Sequence, residues 1–148
     1  MRSLVVLLLC CACAGLSRQN PLESNEILAR PDAAARVEVQ HILLGWSWLE
    51  GPYRRMGMTL DPRAQSRNET AADELAMRLL KDCSAGQPFE PLMKEWSEDT
   101  GSAGGVVMTV VPSSQFVEPF KDLALRLKPA ECGLVRTQFG WHVMKRVR

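Results

Sequence analysis

The chain has 148 residues, 46% of them hydrophobic and 24% charged, with a net charge of +1, which suits one hydrophobic core and one domain. Near-neutral charge without a basic face gives no footprint for a phosphate backbone, and the four Trp, four Phe and one Tyr are not arrayed as stacking platforms. Nucleic acid is therefore excluded as a partner.

The N-terminus has the pattern of an export signal: Arg2 supplies the positive start, residues 4–9 an apolar stretch, and Ala12-Cys13-Ala14 a small-residue cleavage region. The apolar run ends near Leu16, short of the ~20 residues that cross a bilayer. Cys10, Cys11 and Cys13 lie inside this segment and need no metal to explain them. Cys13, followed by Ala14 and Gly15, resembles the lipidated cysteine of bacterial lipoproteins, although Cys10 and Cys11 stand where that motif prefers Leu and a small residue. A plain cut after Ala14 is the competing outcome. Residues 1–16 are assigned to the signal and lipidation region, with a lipid expected at Cys13 and attachment to a membrane through it. Residues 17–35, polar and carrying Pro21 and Pro31, are assigned to a tether with a short helical turn over residues 22–30.

From residue 36 the pattern becomes that of a folded domain. Val37, Val39, His41 and Leu43 alternate on one face of a strand. Residues 45–65, with Gly51-Pro52, Gly57 and Pro62, read as a long loop that breaks any regular element. Ala72, Leu75, Ala76, Leu79, Leu80 and Cys83 then fall at helical spacing, with a capping-box-like start at Thr70 and Asp73 and a stop at Gly86 and Pro88. Phe89, Leu92, Met93 and Trp96 repeat that spacing in a shorter helix, with Pro91 tolerated in its first turn.

Residues 104–111 predict a buried strand entered through a Gly pair. The Gly-Ser-Ala-Gly-Gly run before it lacks the Lys-Ser/Thr of a phosphate loop and precedes a strand rather than opening a helix. Phe120, Leu123, Ala124 and Leu127 form a third amphipathic helix, and residues 133–135 and 141–147 two more strands. The order β, α, α, β, α, β, β predicts an α+β domain over residues 36–148, a four-stranded, mostly antiparallel sheet packed by helices. Cys83 and Cys132 fall on a helix end and a loop whose separation sequence does not set. They are read as free thiols, though export would permit a bond.

The two histidines, His41 and His142, each sit on a β-patterned face. An imidazole on an apolar face must find a hydrogen-bond partner, and a second imidazole provides one without burying a charge.

Four segments resemble the parvulin family of peptidyl-prolyl cis-trans isomerases, in order and spacing. Val39-Gln40-His41-Ile42-Leu43 is similar to the family's opening strand. Trp96-Ser97-Glu98-Asp99 followed by Ser102-Ala103-Gly104-Gly105 resembles its Tyr-Ser-x-Asp element and Gly-Gly. Gln115-Phe116-Val117-Glu118-Pro119-Phe120 is similar to the segment that builds the proline pocket, and Thr137-Gln138-Phe139-Gly140-Trp141-His142-Val143-Met144 to the closing strand, with Trp141 for Tyr. The resemblance implies a parvulin-like domain that isomerises X-Pro bonds. In it His41 and His142 form the imidazole pair, Thr137 orients them, Asp99 completes the catalytic set, and Phe116, Phe120 and Phe139 bind the proline side of the substrate.

Asp99 takes the place where other parvulins carry Cys, so thiol chemistry is unavailable and the carboxylate acts by electrostatics or hydrogen bonding. Phe116 for Met, Val117 for Gln and Val106-Val107-Met108 for Asp-Leu-Gly imply a reshaped groove and a bent loop. Tyr53-Arg54-Arg55 resembles the basic loop by which some parvulins select a phosphorylated residue, but with Glu50 and Asp61 nearby it is read as solvated surface.

The expected function is that of an exported, periplasmic or outer-membrane-attached prolyl isomerase. It would act as a monomer on proline-containing unfolded or extended polypeptides, without metal or cofactor. A parvulin-fold peptide binder without catalysis and a lipoprotein interaction scaffold are the alternatives.

Overall fold

The computed structural model describes residues 20–148; the export signal and Cys13 lie outside the described residues. In chain order the elements are α1 (Asn25–Leu28), β1 (Val37–Leu44), a 3-10 turn (Ser47–Leu49), α2 (Glu50–Arg55), α3 (Pro62–Gln65), α4 (Glu69–Ser84), α5 (Phe89–Trp96), α6 (Thr100–Ala103), β2 (Met108–Val110), α7 (Glu118–Arg126), β3 (Cys132–Thr137) and β4 (Gly140–Arg146). The strands form one sheet in the order β2-β1-β4-β3, with every neighbouring pair antiparallel. The expected α+β architecture is present.

The sheet is buried on both faces because helices cover each. On one side Ile42, Leu44, Leu134, Trp141 and Val143 pack against Ala72, Ala76, Leu79 and Cys83 of α4 and Phe89 and Met93 of α5. On the other, Val37, Val39, Val135 and Met144 pack against Phe120, Leu123, Ala124 and Leu127 of α7. The period of two in β1 and β4 thus feeds two cores from the same strands. Register places His41 opposite Met144 and His142 opposite Leu43, so the imidazoles are diagonal neighbours on the α7 side.

Several sequence expectations are corrected. The N-cap of α4 is Asn68, whose side-chain oxygen accepts the Ala71 N–H at 2.8 Å, rather than Thr70. Asp73 is then free to accept from Trp141 Nε1 at 2.7 Å. Residues 45–65 are not a plain loop. Pro62, read as a breaker, opens α3 behind the capping side chain of Asp61, where its missing N–H costs nothing. The strand expected over residues 104–111 is confined to Met108–Val110. Its first four positions, 104–107, form the turn that leaves α6 and an irregular stretch, with Gly105 at φ +85°.

The segment read as a tether is docked on the domain from residue 20 onward. Ser24 donates its N–H to Leu134 O and accepts the Leu134 N–H on its Oγ, both at 2.9 Å, and Glu23 accepts the Arg136 N–H. These bonds satisfy the outer edge of β3, an edge strand that would otherwise present unpaired groups. Ile27 enters the α7 core, and Arg30 makes a two-pronged contact with Glu131. Cys83 and Cys132 are joined in a disulfide across a Cα separation of 6.2 Å, contrary to the free-thiol reading. The end of α4 lies over the start of β3, a juxtaposition set by helix-on-sheet packing and invisible to sequence spacing.

Candidate active site

The tight connection between β3 and β4 sets the base of the site. Gly140 has φ +132°, and a Cβ there would run into the Leu44 carbonyl, so glycine is required. The turn lets Phe139 N–H donate to Thr137 Oγ1 at 3.0 Å. Thr137 Oγ1 in turn lies 2.8 Å from His142 Nε2, and His142 Nδ1 lies 3.1 Å from His41 Nδ1. Both imidazoles are 5% exposed and stack with their centroids 5.2 Å apart.

Two proton orders satisfy these contacts, because the Thr137 hydroxyl can accept from Phe139 and still either donate to or accept from His142. In the first, the Thr137 O–H donates to His142 Nε2, His142 Nδ1–H donates to His41 Nδ1, and His41 carries its proton on Nε2. Nε2 faces Asp99 Oδ2 at 3.6 Å, too long for a formed hydrogen bond but close enough for the carboxylate to favour that proton. The reverse order would aim a lone pair of neutral His41 at the carboxylate. Burial, reinforced by the facing His41, holds the His142 pKa well below the ordinary imidazole value, so this ring stays neutral.

Asp99 is more than a solvated turn residue. It N-caps α6, its Oδ2 accepting the Ser102 N–H at 2.8 Å and the Ser102 hydroxyl at 2.7 Å. His41 and these two bonds hold its carboxyl well below the usual carboxylate range, against the opposing effect of burial.

His41, Asp99 and His142 open onto a cavity of about 360 Å³ whose walls include Phe116, Phe120 and Phe139. Phe120 stands edge-on to both imidazoles, with centroids at 5.4 and 5.2 Å, and Phe116 lies 5.0 Å from it. The structure brings together His41, Asp99, Thr137, His142, Phe116, Phe120 and Phe139, with Thr137 behind His142 rather than lining the cavity; Cys13 lies outside the described residues.

Sequence reading missed Tyr53, Met58, Met108 and Ser102. The first three line the cavity. Tyr53 donates its hydroxyl to Phe139 O at 2.7 Å; burial, with Glu98 and Asp99 adding, pushes its pKa up to about 12, so it remains a donor. The signal for Tyr53 was its being the chain's one tyrosine, on a segment read instead for its arginines. Arg54 and Arg55 are absent from the cavity walls. Among the described residues no cluster of three or more His, Cys, Asp or Glu side chains gathers as a metal site.

A family model described as a PPIC-type PPIase domain matches residues 25–147. The chain is 38% identical to the chaperone SurA of Pseudomonas putida over 88 residues, covering 55% of this chain and 20% of SurA. It is 31% identical to the foldase protein PrsA of Bacillus subtilis over 103 residues, covering 68% of this chain and 32% of PrsA. The chain thus spans about a fifth to a third of the length of these relatives. The solution structure of TbPIN1 matches with a TM-score of 0.60 at 26% identity, covering 77% of this chain and 98% of that one. A family match that takes in both imidazoles, the Asp99 turn and the whole four-stranded sheet shows that the chain belongs to the PPIC-type PPIase family, with the parvulin fold.

Proposed function

We propose that this domain accelerates cis-trans exchange of X-Pro bonds in exported polypeptides, as a folding factor. The observation that carries the reading is an apolar cavity with a buried, mutually hydrogen-bonded imidazole pair at its base and one carboxylate at its rim. Rotation about a peptide bond must overcome lost amide resonance, a barrier of about 18–20 kcal/mol, and breaks no covalent bond. A site lowers that barrier by binding the twisted amide better than either planar isomer. Phe116 and Phe120 would hold the pyrrolidine ring. Moving the preceding carbonyl out of water weakens the solvation that favours the planar, charge-separated amide. The Asp99 carboxylate near that carbonyl would further disfavour the charge-separated form, whose oxygen carries negative charge.

Relatives named chaperone and foldase support a role in folding. A disulfide between Cys83 and Cys132 supports an oxidising compartment, in keeping with the export pattern at residues 1–16. Within that reading the mature protein carries a lipid on Cys13; intact mass showing an unmodified chain that begins at Gly15 would refute the anchor.

A protease-coupled assay on proline peptides with the purified protein tests the activity. The expected result is exchange faster than in buffer, with Asp99→Ala lowering turnover by more than the loss of the α6 cap, about 1 kcal/mol of stability, accounts for. A rate equal to buffer from protein with native near-UV dichroism would reject catalysis.

A further inference from the structure

The residue before Asp99 is a second carboxylate that points the other way. The Glu98 side chain is 3% exposed. Its Oε1 accepts from Arg67 Nη1 at 2.6 Å and its Oε2 accepts the Gly45 N–H at 2.6 Å, while the same Arg67 nitrogen donates to Gly45 O at 2.9 Å. A Cβ at residue 45 would crowd Ala64 and Leu60 at 3.1 Å and touch Glu98 Oε2 at 3.4 Å, so glycine there lets the segment carrying Leu60 and Ala64 pack against the end of β1. The flanking backbone is tied to β1 as well. Glu98 N–H donates to Leu43 O, Leu43 N–H donates to Ser97 Oγ, and Arg63 donates to Ser97 O.

Stability alone is a poor account of this cluster. Withdrawing a carboxylate and a guanidinium from water costs about what their attraction returns, and an apolar pair of similar volume serves as well or better. What the ion pair adds is geometry, because both Glu98 oxygens must meet donors on two separate segments, which fixes the path of the chain into Asp99. The Asp99 carboxylate is otherwise held by Ser102, only three residues on in the four-residue helix α6, and so by no distant segment of the fold.

We propose that the buried Glu98–Arg67 pair is a positioning device for isomerisation, holding Asp99 opposite His41 Nε2 and so maintaining the protonation order of the imidazole pair. This rests on the reading of Asp99 and the imidazoles as the reacting site. In Glu98→Gln, kcat should fall about tenfold with KM within twofold of the parent. On an Asp99→Ala background the same substitution should cost no further activity, since there is no carboxylate left to position.

Nitrogen-15 spectra of the histidine side chains give a readout independent of turnover. The parent should show His41 protonated at Nε2 and His142 at Nδ1, and Glu98→Gln should show that order lost or averaged. A Glu98→Gln protein that melts lower yet keeps kcat within twofold overturns the proposal, as do losses that multiply in the double variant. If the parent protein proves inactive, the isomerase reading fails by itself, and unchanged imidazole spectra in Glu98→Gln would separately overturn the positioning role. Should Glu98→Gln not fold, Arg67→Lys, which replaces the planar fork with one flexible ammonium, carries the same expectations.

Discussion

The two faces of the sheet are built by the same strands but finished differently. On the α4 side, α4 lies over β3 and β4 and α5 over β1: Trp141 is fully buried with its indole N–H held by Asp73, and Cys83 bonds Cys132. On the α7 side, the helix covers Val39, Val135 and Met144, and the apolar wall then runs out at Phe116 and Phe120, beyond which His41 and His142 meet the cavity. A face that is completely covered can be wholly apolar. A face that ends in a cavity can present polar groups to a ligand, provided that those groups satisfy one another in its absence, as Thr137, His142 and His41 do.

The sharpest way to break this contrast is to unlock the covered face. Replacing both Cys83 and Cys132 by Ala opens a link between residues 49 apart and should lower unfolding free energy by about 4 kcal/mol in the chain-entropy account. Urea melts measure this. Turnover per folded molecule should hardly change, because the link lies on the other side of the sheet; a large loss of turnover would show that the faces are coupled.

On the open face stability and activity should fall together. His142→Ala takes away the Thr137 hydroxyl's imidazole partner and leaves His41 Nδ1 unpaired, a loss of about 1–3 kcal/mol in urea melts, and turnover should drop with it. An unchanged midpoint would contradict the mutual satisfaction argued above.

Acid offers a gentler probe of the same ring. The folded-state pKa of His142 is depressed well below 6.5, so the unfolded chain takes up a proton that the native protein refuses. Its contribution is full above pH 6.5 and is lost progressively as pH falls below that value. Asp99, whose folded pKa lies below its ordinary 3.8, loses its contribution only as pH falls below that value, so the windows separate. Melting curves between pH 7 and 5.5 should show the slope in the parent and its flattening in His142→Ala.

What the sequence revealed follows the same division. The α4, α5 and α7 faces and the shared side of His41 and His142 were legible, because helical and strand periods are local properties. The partners of polar groups were not. Glu98 turns inward while its neighbour Asp99 turns to the cavity, and Cys83 meets Cys132, each decided by where a distant segment packs, whereas Asn68 rather than Thr70 caps α4 through a contact three residues along the chain. Ser24 and Glu23 carry no apolar period, yet they close the β3 edge, Ser24 through its N–H and hydroxyl and Glu23 through its carboxylate.

The smallest expected effect concerns the rim of the open face. Arg54 and Arg55 lie in the last turn of α2, two adjacent guanidinium groups of the kind that bind phosphate in bidentate fashion. From that helix, however, Tyr53 is the residue that turns into the cavity, with Met58 following, and Asp99 is the only permanently charged group among the cavity walls. A phosphorylated residue before proline would thus meet a carboxylate and apolar side chains. Arg54→Ala with Arg55→Ala should move the melting free energy by no more than about 0.5 kcal/mol and leave turnover of unmodified peptides nearly unchanged. Comparing Ser-Pro with phospho-Ser-Pro peptides decides the matter. A preference of about tenfold or more for the phosphorylated form, equal to about 1.4 kcal/mol and abolished by the double substitution, would mean that α2 swings its arginines over the cavity when substrate binds.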